Sequence, residues 1–155
     1  MLELMDLLRT DPEGHGLRTA ALLRRSHPFD KELQIAGLVH GLGGLLRLSD
    51  GAVTHGVAAE SVRPLLGERV TRLVRLSGAP GGYGAHGGAD AEAVATLRQA
   101  RESAAAAVLD AGVPEDWRPL LELVAAGARR LRSAGNARDP LGVPRGSRRP
   151  AGGLP

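Results

Sequence analysis

The chain has 155 residues, 43% hydrophobic and 24% charged, with a net charge of +3, a balance that suits one globular unit with a single core. It contains no cysteine, which excludes disulfides, thiolate-zinc sites, iron–sulfur clusters and a thiol nucleophile. Phe29, Tyr83 and Trp117 are the only aromatic residues, too few for a base-stacking platform, and no window approaches the ~20 apolar residues of a membrane span.

The first helix is marked by Leu2, Met5 and Leu8 on one face and ends near Arg9. Thr10-Asp11-Pro12-Glu13 reads as a cap and turn. A second helix runs from about His15 to Arg25, burying Leu17, Ala20 and Ala21, until Ser26-His27-Pro28 stops it. Asp30 is the expected N-cap of a third helix, which carries Leu33, Ala36, Gly37 and His40 on one face. Gly41, Gly43 and Gly44 loosen its end, because each helical glycine costs ~1 kcal/mol against alanine.

A turn at Ser49-Asp50-Gly51 leads into a fourth helix from about Thr54, with Val57, Ala58, Val62 and Leu65 inward and Pro64 and Gly67 closing it. Glu68 to Leu76 forms a fifth helix on Val70, Leu73 and Val74. Six glycines between residues 78 and 88 predict a flexible loop. Asp90 is expected to cap an Ala-rich helix reaching Ala111, and Pro114-Glu115-Asp116 opens a last one through Leu131. The whole is an all-α bundle of six or seven helices over residues 1–133, followed by a disordered Arg/Gly/Pro-rich tail over 134–155.

That tail explains the charge. It holds four arginines against Asp139, a surplus of three that equals the net charge, so residues 1–133 are neutral overall. The pI of about 10.5 therefore implies no specific nucleic-acid surface, only a tail able to touch polyanions. Glu3 and Asp6 stand where a signal peptide would be positive, so a cytoplasmic protein is expected.

The histidines are the main chemical resource. His15 begins a helix, His40 ends one on its apolar face and His55 begins another, whereas His27 and His86 read as exposed. One histidine on an apolar face is usually a hydrogen-bonded core residue. Three at helix ends facing one core suggest a shared site, yet the carboxylates that would complete a metal site are scarce nearby. Gly41-Leu42-Gly43-Gly44 lacks the Lys and Ser/Thr of a phosphate loop, and no strand precedes the second glycine stretch.

In order, His15-Gly16-Leu17-Arg18-Thr19-Ala20, Ser26-His27-Pro28 with Asp30-Lys31, Gly37-Leu38-Val39-His40-Gly41-Leu42-Gly43-Gly44, and His55 before Ala58-Ala59 and Arg63-Pro64-Leu65-Leu66-Gly67 form a series. Val74-Arg75-Leu76-Ser77 with Tyr83, then Leu97 to Glu102 with Pro119-Leu120-Leu121, continue it. This series resembles the HD-domain superfamily of metal-dependent phosphohydrolases, and above all its oxygenase branch, which includes myo-inositol oxygenase and phosphonate-cleaving di-iron oxygenases. The likeness covers residues 2–131 and loosens after 84.

The resemblance implies an HD-like helical bundle whose metals are held by four histidines and two aspartates. His15, His40 and His55 match as vestigial ligands. The bridging Asp is replaced by Gly41, the fourth His by Ser77 and the last Asp by Arg101, while the auxiliary residue after the pair is Gly44. The expectation is a pseudoenzyme without di-metal catalysis, acting as a binding or regulatory scaffold for an unidentified small molecule or protein. No cofactor is expected. The alternative is an active HD-type phosphohydrolase or oxygenase with one divalent ion (Fe, Mn or Zn) and a substitute acid from Glu60, Asp90 or Glu102. Arg18 and Arg101 are the candidate anion contacts of a residual pocket.

Overall fold

The computed structural model describes residues 1–42, 55–79, 88 and 90–138. Among these residues the fold is all-α, with seven helices: α1 (Leu2–Arg9), α2 (His15–Ser26), α3 (Lys31–Val39), α4 (His55–Leu66), α5 (Glu68–Gly78), α6 (Ala91–Ala106) and α7 (Pro114–Arg138). Gly43, Gly44, the Ser49–Gly51 turn, Thr54, Tyr83, His86 and the tail from residue 139 lie outside the described residues.

α3 is the centre of the bundle. Every residue from Leu33 to His40 is buried, because α2, α5, α6 and α7 all pack against it. Asp30 caps it as expected, accepting a hydrogen bond from the Leu33 N–H at 3.0 Å. α4 packs on α5 and α7, and α1 closes the far side against α7.

Two glycines let α2 lie unusually close to α3. A Cβ on Gly16 would overlap the Leu38 carbonyl oxygen, and one on Gly37 would fall 2.6 Å from Leu23 Cδ1. α2 itself starts behind Gly14, whose φ of 59° is left-handed backbone that glycine adopts without strain. Asp11 supports that start from a distance, accepting from the Glu13 and Gly16 N–H groups at 3.2 and 3.4 Å.

Several expected details are corrected. In α1 the core takes Leu4, Met5 and Leu8 and leaves Leu2 70% exposed. In α4 the buried stripe is Ala58, Ala59, Val62 and Leu66, and Val57 is 58% exposed. α6 ends at Ala106 rather than Ala111, and α7 continues past Leu131 to Arg138.

Asp90 does precede α6, but its side chain makes no capping bond. It joins an ion-pair network instead. Arg69 on α5 forms a two-pronged contact with Asp30 (2.7 and 2.8 Å), reaches Glu32 at 3.0 Å and approaches Asp90 at 3.4 Å; Arg72 donates to Asp90 at 2.6 Å. The start of α3, the face of α5 and the start of α6 are thereby tied through one guanidinium. The Arg24 guanidinium lies 3.7 Å over the buried Trp117 ring, whose N–H donates to the Ala111 carbonyl at 3.3 Å.

Candidate functional site

The close approach at Gly16 carries the first turn of α2 onto the C-terminal end of α3. His15 and His40 consequently meet edge to face, with ring centroids 5.3 Å apart and planes inclined by 67°. His40 is only 6% exposed, and its Nδ1 lies 2.6 Å from the Gly37 carbonyl oxygen. A carbonyl only accepts, so Nδ1 carries the proton and Nε2 of the neutral ring keeps its lone pair.

The electrostatics hold His40 neutral. Burial is the largest effect, pushing its pKa from 6.5 down to about 4. The Gly37 carbonyl opposes this, the positive charge of Arg101 and the neighbouring His15 add to it, and Asp11 counters weakly.

His15 also lines a cleft of about 350 Å³ with Ser77, Arg98, Arg101, Glu102 and Ala105. Ser77 is buried, its hydroxyl donating to the Val74 carbonyl at 3.0 Å. Arg101 donates from Nη1 to the Ser77 carbonyl at 2.8 Å, and Arg98 donates from Nη2 to the Leu76 and Ala79 carbonyls at 2.7 and 3.3 Å. The end of α5 is thus capped by two arginines from α6, a favourable place for positive charge. Burial lowers the Arg101 pKa first, the charge of Arg98 adds to it, and Glu102 acts the other way. The group stays protonated.

Of the sequence-selected residues, His15, His40, Ser77 and Arg101 come together at one end of the bundle. Gly41 follows His40 directly, and among the described residues a Cβ there would meet no atom within 4 Å. His55 opens α4, but its side chain lies outside the described residues. Arg18 does not line the cleft; its Nε is enclosed with no hydrogen-bond partner among the described residues.

Of the substitute acids, Glu60 is engaged by Arg63 and Arg75 at 3.0 and 3.2 Å, and Asp90 by Arg69 and Arg72. Only Glu102 lies in the cleft with His15. Arg98 was not singled out from the sequence, although its spacing of three from Arg101 puts both on one helical face.

Larger grooves exist elsewhere, about 720 Å³ between α1 and α4 and about 600 Å³ beside Gly67 and Leu131. Neither holds a histidine, so size and chemistry point to different places, and the chemistry is at His15. Among the described residues no three His, Asp or Glu side chains stand close enough to hold a metal ion. No described helix is long and apolar enough to cross a membrane. Comparisons with protein-family models, curated proteins and solved structures give no match.

Proposed function

We propose that this chain is a degenerate HD-type domain that acts by binding, as a recognition or regulatory scaffold, and not by di-metal catalysis. The observation that carries the reading is Arg101 on the Ser77 carbonyl, in the same cleft as His15. At the two positions where the resemblance expects an aspartate and a histidine ligand, the chain places a cation and a hydroxyl already turned to the backbone.

The donor set does not fit a pair of divalent ions. Their mutual repulsion needs a bridging carboxylate, and Gly41 has no side chain to supply one. A divalent ion about 5 Å from a guanidinium would be repelled by ~7 kcal/mol at an effective dielectric of 20. The posture of His40, with Nδ1–H on a backbone carbonyl and Nε2 bare, is nevertheless the one a metal-ligating imidazole uses. That favours an inherited site whose remaining ligands have been replaced.

Metal analysis of protein purified with iron, manganese or zinc tests this reading. Well under one equivalent is expected. Near-stoichiometric metal that disappears in folded His40→Ala and His15→Ala variants overturns it. Glu102 shares the cleft with His15, so the alternative takes the form of a mononuclear site that would have to draw Glu102, His15 and His40 together, since as placed they do not stand close enough to hold one ion. Metal lost equally in Glu102→Gln would establish that form.

A further inference from the structure

We infer that the cleft lined by His15, Ser77, Arg98 and Arg101 is a binding site for a small organic carboxylate. This rests on the reading above only in taking the cleft to be free of metal.

The first ground is an unmatched cation. Arg101 is partly buried, yet among the described residues its only hydrogen bond goes from Nη1 to the Ser77 carbonyl and no carboxylate forms an ion pair with it. Contrast Arg69, also part-buried, which contacts three carboxylates. Its Nε and Nη2 make no bond to the described residues and are not among the enclosed unpaired atoms, so both stand open to an incoming anion. The anchoring bond to Ser77 also fixes the plane of the group, so its remaining donors are held ready.

The second ground is the charge of the surroundings. Arg98, tied to the Leu76 and Ala79 carbonyls, brings a second positive charge close enough to disfavour the Arg101 cation. Glu102 lines the same cleft and opposes them. Arg98 is committed to the end of α5, so Arg101 is the cation that an incoming acid would meet. The planar fork of a guanidinium pairs best with the planar two-oxygen face of a carboxylate.

The third ground is shape. About 350 Å³ is at the small end of ligand pockets, enough for a compact acid. Ala105 and the His15 ring supply apolar and aromatic wall for its body.

The test is a titration of the full chain, followed by backbone and arginine Nε NMR signals, with EDTA present and ionic strength held constant by sodium chloride. Benzoate serves as the carboxylate probe and inorganic phosphate as the competing oxyanion. Saturable benzoate shifts at residues 77, 98 and 101 are expected, weakened at least tenfold in Arg101→Met and strengthened severalfold in Glu102→Gln. The second variant changes an exposed side chain, which the fold should tolerate.

No saturable shift, an equal response to chloride alone, or unchanged affinity in both variants overturns the proposal. Phosphate binding with benzoate silent overturns the carboxylate assignment. Absent anion binding in metal-free protein sinks this inference alone, whereas stoichiometric metal sinks the scaffold reading.

Discussion

Gly16 lies so close to Leu38 that a single methyl group on it would overlap the Leu38 carbonyl oxygen. That contact seats the first turn of α2 on α3 and sets His15 beside His40. Gly16→Ala should therefore force the helices apart, at a cost on the order of 1–3 kcal/mol, and disturb the histidine pair. Gly37→Ala meets the movable end of Leu23 and should cost less. Urea denaturation of both variants checks the order. Equal, negligible losses would mean that the helix contact is not set by these glycines.

His40 predicts a particular acid sensitivity. Its folded pKa is depressed to about 4, so the unfolded chain binds the proton more readily than the folded one. The stability linked to this group is fully present above the unfolded value of about 6.5 and falls as pH drops from there toward 4. A shift of this size corresponds to ~3 kcal/mol, an upper figure for a buried ring. In an NMR titration the His40 ring should show no inflection near pH 6.5. His40→Gln should flatten the stability profile between pH 6.5 and 4.

Asp30 acts lower on the scale. The hydrogen bonds from Arg69 are the largest cause of its depressed pKa, burial opposes them, and the Leu33 N–H adds to them. Its contribution is present above the unfolded carboxylate value near 4 and is lost as pH falls through the lower folded value. Arg69→Met removes the shared partner of Asp30, Glu32 and Asp90 at once and should destabilise by ~1–3 kcal/mol, with side chains up to 38% exposed moderating the loss. Arg69→Lys should recover only part, because one ammonium cannot make the forked contact with Asp30. Chemical denaturation at pH 7 and pH 3 checks both: the Arg69→Met penalty should shrink at the lower pH.

The helix order was legible in the sequence because local chemistry fixes ends: Asp30 caps α3, and Pro114 opens α7. Which face turns inward was less legible. Leu2, Leu4, Leu7 and Leu8 offer two possible stripes on α1, and only packing against α7 chooses Leu4 and Leu8. On α4, Ala58 and Ala59 carry too little hydrophobic signal to set the phase, so the larger Val57 misleads. Ala107 turns to extended backbone although an alanine run favours helix, a tertiary override of propensity. In the site, the resemblance named His15, His40, Ser77 and Arg101 as ligand positions present or lost, and these four lie at one end of the bundle. The Arg101–Ser77 bond was not, since it joins residues 24 apart on different helices.

Gly41 offers the sharpest check on the site's ancestry. Among the described residues a Cβ there meets nothing within 4 Å, so Gly41→Asp should fold with a stability change within about 1 kcal/mol of the parent. That single change creates the His-Asp pair that the proposed reading takes to be lost, yet Arg101 still presents its charge to the same end of the bundle. Metal binding should stay weak in Gly41→Asp and rise by at least tenfold only when Arg101→Asp is added. Isothermal titration with manganese or zinc reads both variants. Tight binding in the single variant would deny Arg101 the blocking role. Failure of the folded double variant to gain any metal affinity would remove the basis for reading His15 and His40 as former ligands.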